Sequence, residues 1–275
     1  QATFFANRGA QSGYFAGHDG ETTIVDKTGP IHGYNGDIFS SPSGPYSAVQ
    51  VTLALPRPSL AIVVGTGGHL TTITDTSGLF ADLDLDPNVN GSGQVAFHGI
   101  RRDGSEGVFV GKGGHITRIA DTAESFSFFL DSPAINDKGQ VLFQAGFTDE
   151  TGGQALGLFQ SSEGKTRLVL DSNGAYRDFG FSFSSTPALN SNGQIAFLGT
   201  LQSGHAGIFT GADPVRDRVI GEGDVLDGST VSQFLPDSFR SGLNNKGQIV
   251  FFVRLEDGRT GVYRADPVRH DHGDR

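Results

Sequence analysis

An all-β chain of tandem propeller-type blades is the fold class this sequence predicts, on three observations. Glycine (41 residues) and phenylalanine (22) are abundant, Ser and Thr run throughout, and there is almost no run of Ala, Leu, Glu and Lys, a composition that favours short strands joined by tight turns. An eight-residue phrase returns four times, as NGSGQVAF (90–97), NDKGQVLF (136–143), NSNGQIAF (190–197) and NNKGQIVF (244–251). A second phrase marks a longer period: Phe15, Val63, Phe109, Phe159, Phe209 and Tyr263 occupy one column, spaced 48, 46, 50, 50 and 54 residues apart. Repeats of about 40 to 50 residues with short strands are the mark of propeller blades.

Each element follows from local chemistry. Four strands are expected per repeat, at 94–100, 107–111, 116–121 and 126–131 in the best-preserved copy. Between the first and second lie Asp103-Gly104, Ser203-Gly204 or Asp257-Gly258, and between the second and third Gly67-Gly68 or Gly113-Gly114; such pairs supply the positive φ that hairpins need. The recurring Asn-x-x-Gly reads as a type I turn closed by a G1 bulge, with Gly at the left-handed position. The Asn side chain accepts an amide two residues on and holds the turn. The apolar residues that follow alternate into a sheet. The motif therefore specifies geometry rather than chemistry.

The first two strands occur six times, at 1–17, 50–65, 94–111, 140–160, 194–211 and 248–265, and the other two five times between them, 22 strands in all. Six four-stranded blades would need two more strands and five would need two fewer. Either one blade of six keeps two strands, or a ring of five carries a spare hairpin. One propeller domain over 1–265 and a polar tail over 266–275 are the expected organisation.

The N-x-x-G-x-x-A-F phrase, with four full copies and degenerate ones at Gln50-Val51-Thr52-Leu53 and Gln1-Ala2-Thr3-Phe4, resembles the secreted bacterial NxxGxxAF tandem-repeat proteins that carry varied C-terminal anchors. The resemblance implies export and a propeller, and implies no activity. The tail DPVRHDHGDR departs from the anchored members in having no hydrophobic stretch.

Charge and composition remove several classes. A net charge of −10 with no basic stripe argues against nucleic acid as a partner, and no segment reaches the roughly 18 apolar residues of a spanning helix, so membrane insertion is not expected. With no cysteine there is no disulfide, thiolate metal site or cysteine nucleophile. A start at Gln1 with no Met anywhere reads as a processed, secreted chain.

Candidate sites are few. DLDLDPNVNGSG (82–93) alternates Asp82, Asp84 and Asp86 and then places Asn88 and Asn90 as in the opening of a calcium loop. The twelfth position is Phe97, where such a loop needs Glu, so a solvated acidic strand end is the competing reading and Ca²⁺ the one cofactor considered. His69 and His115 are repeat equivalents, and His270 and His272 could bind a soft metal weakly. Tyr34, Phe39 and Tyr46, in the divergent and loop-rich stretch 18–49, could form a glycan-stacking surface. No catalytic residue is assigned, for the chain has no G-x-S-x-G, H-E-x-x-H or P-loop sequence.

The opening segment, Gln1, Ala2, Thr3, Phe4, Phe5 and on to Tyr14 and Phe15, is apolar with one charge, and a poorly blunted strand edge templates pairing with other chains. The expected function is thus a non-enzymatic extracellular structural protein that self-assembles, into a filament or ring, by strand or hairpin addition. Intramolecular pairing of 1–17 with 248–265 is the rival arrangement. A binding module for glycan or peptide is the second function, and a glycan-active enzyme the third.

Overall fold

The structure is a computed structural model describing residues 2–8, 11–17, 21–26, 31–54, 58–66, 69–130, 133–180, 186–235, 238–239 and 242–268, with only backbone pairing described for the strands of the first 26. The described residues contain no helix, and every sheet is antiparallel. The chain forms two compact units, Gln1–Val169 and Leu170–Arg275.

The first unit holds four sheets in chain order. The first is β1 (Ala2–Arg8), β2 (Gln11–Gly17) and β3 (Glu21–Asp26); the second is β4 (Ile31–Ser40), β5 (Ser47–Leu53), β6 (Ser59–Thr66) and β7 (His69–Asp75). The third contains β8 (Phe80–Leu83), β9 (Asn88–Val89), β10 (Val95–Arg101), β11 (Glu106–Lys112) and β12 (His115–Asp121). The fourth contains β13 (Phe126–Phe129), β14 (Ala134–Ile135), β15 (Val141–Thr148), β16 (Gln154–Ser162) and β17 (Lys165–Asp171). In the second unit, β18 (Tyr176–Asp178), β19 (Ala188–Leu189), β20 (Ile195–Leu201), β21 (Ala206–Phe209) and β22 (Arg218–Gly221) make the fifth sheet. The sixth is β23 (Val225–Leu226), β24 (Ser229–Phe234), β25 (Ile249–Leu255) and β26 (Thr260–Ala265). These are propeller-type blades, one per repeat, as the sequence predicts.

The phase of the repeat differs from the sequence expectation. The strand expected as the fourth of each unit does not close its own sheet: β13 pairs with β15, just as β8 pairs with β10 and β24 with β25. The chain crosses to the next sheet after β12, and the Asn-x-x-Gly turn is an internal hairpin, joining Val89 to its partner Val95. The shortage of strands is therefore shared. The first sheet has three strands, the sixth lacks the strand that follows β11 or β21 in other repeats, and neither is a two-stranded remnant. The pairing of 1–17 with 248–265 is not the one formed, because β1 and β2 sit with β3, and β25 and β26 with β24. The stretch 18–49 is less loop-rich than expected: β3 and β4 occupy half of it.

The turn chemistry is as expected. Gly93, Gly139, Gly193 and Gly247 have φ of 76°, 73°, 84° and 75°, and each donates its amide to the motif Asn carbonyl at 2.9–3.0 Å. Gly104, Gly204 and Gly258 are likewise at positive φ, as are Gly113 and Gly114, while Gly67 and Gly68 lie outside the described residues.

Cores form where one face of a sheet meets the next. Ala48, Ile62 and Val64 of the second sheet pack with Phe80, Phe97 and Phe109 of the third, and Ala96, Val108 and Val110 of the third with Phe129, Phe143 and Phe159 of the fourth. In the second unit, Ala196, Leu198 and Ile208 meet Val231, Phe251 and Val253. The period column is an aromatic stack: Phe97–Phe109, Phe143–Phe159, Phe197–Phe209 and Phe251–Tyr263 lie 5.7, 5.7, 5.9 and 6.1 Å apart with rings within 30° of parallel.

Tyr176 caps one such stack edge-on, 5.3 Å from Phe197 and 5.0 Å from Phe209. Its hydroxyl donates to the Gly211 carbonyl at 3.0 Å. Burial, then the negative charges of Asp217 and Asp213, push its pKa well above the usual tyrosine value. In the unfolded chain this phenol ionises near pH 10, so its contribution is complete below that pH and is lost as pH rises further. Urea midpoints measured from pH 8 to 11 should fall more steeply for the parent protein than for Tyr176→Phe.

Candidate functional site

The candidate calcium residues are not gathered. Asp82 is exposed, on β8, and its carboxylate accepts the Leu83 amide at 2.9 Å. Asp84 is bonded through Oδ2 to Nδ1 of His98, and Asp86 Oδ1 accepts the amide of Asp37 at 3.1 Å. Asn88 is in β9, and Asn90, fully buried, gives its Oδ1 to the amides of Ser92 and Gln94. Asp82, Asp84, Asp86 and Asn90 thus each have a different hydrogen-bond partner. Among the described residues no group of three His, Cys, Asp or Glu is placed to hold a metal. His69 and His115 open equivalent strands and are exposed, and His270 and His272 lie outside the described residues.

The aromatic trio is dispersed as well. Tyr34 packs on the core of Ile31, Val49, Val51, Ala61 and Val63, whereas Tyr46 joins the separate core between the second and third sheets, its ring 3.1 Å from where a Cβ on Gly93 would stand. Phe39 is half-buried opposite Ala48 in β4. Tyr34 and Tyr46 thus pack against separate cores. At the opening segment the backbone register pairs Phe4 with Phe15 and Phe5 with Tyr14, and Ala2 and Thr3 with Gly17 and Ala16; Gln1 lies outside the described residues.

Two features went unread in the sequence. The first is that the Asn turns clasp neighbouring repeats. Asn90 Nδ2 donates to the Asn136 carbonyl at 2.9 Å, and Asn190 Nδ2 to the Asn244 carbonyl at 3.0 Å. Asp137 accepts from the Gly91 amide (2.7 Å) and from Ser43 Oγ (2.7 Å), so one carboxylate ties three successive turns. Gly91 has no room for a side chain, since its Cβ would stand 2.3 Å from Ser43 Oγ. The motif Asn thus fixes its own turn with Oδ1 and the next with Nδ2.

The second is a buried polar column. Gln50, His98 and Gln144, at one register position of β5, β10 and β15, are at most 5% exposed. Gln50 Nε2 donates to the Leu83 carbonyl of the next sheet. His98 has Asp84 on one side and Glu106 Oε2 3.6 Å from its Nε2 on the other, and Phe129 of the fourth sheet tilts over its ring at 6.1 Å. The histidine with its two carboxylates is the nearest approach to acid–base machinery among the described residues; the ring is 5% exposed, and the Asp84 and Glu106 side chains are 29% and 24% exposed.

What stands out on the surface is the sixth sheet. Ile62, Val108, Leu158 and Ile208 are each 0% exposed, and their register equivalent Val262 is 70% exposed. The neighbouring column repeats the contrast, with Ala48, Ala96, Leu142 and Ala196 buried and Val250 at 44%. Strands β5, β10, β15 and β20 are buried on both faces through the motif, whereas β25 alternates. Arg254 and Arg264 are exposed on the alternate face that carries Val250 and Val262. Among the described residues β26 ends its sheet beside β25, as β3, β7, β12, β17 and β22 end theirs.

Fold and surface together define a repeat protein of propeller-type blades in which Val250 and Val262 of the sixth sheet are exposed where their register equivalents are buried. The chain belongs to a Family of unknown function (DUF7453), whose profile matches residues 58–237. No curated protein matches the sequence. Among solved structures it is similar to the β-propeller domain of the Trilobed protease from Pyrococcus furiosus, described as having an open velcro topology, at 12% identity and TM-score 0.42 over 86% of this chain and 83% of that one. It is also similar to the Pyrococcus horikoshii acylaminoacyl peptidase, at 12% identity and TM-score 0.37, over 88% of this chain and 47% of that one. The description of the fold rests on the chain's own sheet pairing.

Proposed function

We propose that this chain is a non-enzymatic extracellular structural protein that self-assembles by strand or hairpin addition. The observation that carries the reading is the edge of β26. In the second to fifth sheets the strand at that position is followed by another, β7, β12, β17 or β22, and in the sixth no strand follows it among the described residues. A strand edge of this kind accepts an added strand through main-chain hydrogen bonds. The resemblance to exported NxxGxxAF repeat proteins supports an extracellular setting, and the absence of basic stripes supports a protein rather than a nucleic-acid partner.

Light scattering across a concentration series, with electron microscopy of the same samples, tests this. The expected result is a mass that climbs above the 28.9 kDa of one chain, with regular filaments or rings. A mass fixed at that of one chain at every concentration rejects it.

A further inference from the structure

The Asn-x-x-Gly turns hold one another, and the last of them, residues 244–247 before β25, borders a cavity of about 510 Å³ lined by Lys246, Gln248, Asp266 and Pro267. We infer that this cavity is a binding site for a β-turn of a partner polypeptide, of the form Asn-Asp-x-Gly, held by Asn244, the Asn245 amide and Lys246. The site is distinct from the edge of β26, and either can fail without the other.

The chain fills two such sites itself, one in each unit, and these define what the ligand must carry. In the first, Asn90 Nδ2 donates to the Asn136 carbonyl at 2.9 Å and the Gly91 amide to Asp137 Oδ1 at 2.7 Å. In the second, Asn190 Nδ2 donates to the Asn244 carbonyl at 3.0 Å and the Ser191 amide to Asn245 Oδ1 at 2.8 Å. Asn192 Nδ2 adds a bond to the Asn245 carbonyl at 2.9 Å. In both, the glycine of the seated turn lies against the glutamine that follows the holding turn. A Cβ on Gly139 would stand 3.6 Å from Gln94 Oε1, and one on Gly247 3.6 Å from Gln194 Oε1. The ligand pattern is therefore a main-chain carbonyl at the first residue, Asp or Asn at the second, and at the fourth a glycine, whose φ of 73° or 75° costs it little.

The last turn presents the same groups to the cavity. Asn244 Oδ1 accepts the amides of Lys246 and Gln248 at 2.9 and 3.0 Å, and its Nδ2 donates to Gln248 Oε1 at 2.8 Å. Asn90 makes the same three bonds, with Ser92 and Gln94, and uses its second Nδ2 hydrogen to reach the next turn. Asn244 is exposed, whereas Asn90 and Asn190 are 0% and 3% exposed. Lys246 stands at the position of Ser92 and Asn192, and its cation favours Asp over Asn at the second residue of the ligand, because charge-assisted hydrogen bonds are the stronger kind. Asp266 lines the same cavity with the opposite charge. Its carboxylate already accepts from Gln248 Nε2 at 2.6 Å and from Arg264 Nε at 3.1 Å, which offsets its repulsion.

The probe is a fluorescein-labelled cyclic peptide of sequence AINDKGQVL, that of residues 134–142, titrated with the full chain and read by fluorescence anisotropy. Saturable binding is expected. It should be about tenfold weaker for Lys246→Ala and for Asn244→Asp, which keeps the oxygen that holds the turn and loses the donor, and about tenfold weaker for a peptide with Ala in place of its Asp. Unchanged urea midpoints show that the two protein variants still fold. A parent protein that gives no saturable binding overturns the inference. Binding left unchanged by both variants also overturns it, since the peptide then sits elsewhere, and so does equal binding of a scrambled peptide, which has no turn to recognise. None of these results alters the mass found by light scattering, which alone tests the edge of β26.

Discussion

Phe109→Ala is expected to lower stability by about 3 to 5 kcal/mol, the usual cost of a large cavity in a packed core. Phe109 is fully buried, stacked on Phe97 and met edge-on by Phe80 at 4.9 Å, with the Arg101 guanidinium 5.1 Å above its ring. None of these neighbours is loop, so little can collapse into the void. Tyr263→Ala removes the same column position in the sixth sheet, where the ring is half-buried at the edge. It should cost about 1 to 2 kcal/mol, because much of that ring already faces water. Chemical denaturation of both variants checks the contrast, and equal losses would mean that the sixth sheet is covered in solution.

The second large effect is expected at the motif asparagine. Asn90→Ala should cost about 3 kcal/mol, since it leaves the Ser92 and Gln94 amides and the Asn136 carbonyl without their side-chain partner in a buried turn. Asn90→Asp separates the two roles of this side chain. It keeps the oxygen that holds the local turn and loses the Nδ2 that reaches the next repeat. If the clasp between repeats matters, Asp recovers only part of the loss; full recovery would show that the turn alone is at stake. The Asn190 pair, which clasps the Asn244 carbonyl in the second unit, offers an independent copy of the experiment.

The recurring hairpins and the turns were legible in the sequence because each depends on residues close together, whereas the expected 22 strands fall short of the described β1 to β26. Gly93 at 76° and Gly104 at 86° follow from needing φ that only glycine adopts cheaply. The pairing of the fourth strand was misread, although the signal was present: a turn with a G1 bulge is a hairpin turn, so the strands on either side of Asn90 to Gly93 must share a sheet. A period fixes spacing and leaves phase free. The candidate sites were the least legible, because alternation of Asp82, Asp84 and Asp86 sets which way side chains leave a strand and says nothing of what stands opposite. His98 stands beside Asp84 and the Asp37 amide beside Asp86, partners that come from 14 and 49 residues away in the chain.

From its sequence alone this protein had its class, its repeat and its turns settled, since periodicity, glycine placement and Asx chemistry are local constraints. Only the tertiary structure decided which strand joins which sheet, that one asparagine serves two turns, and that Val262 meets water where Val108 meets a core. Those outcomes depend on the surface a neighbouring sheet presents, and identical residues at identical positions are buried or bare according to whether that neighbour is there.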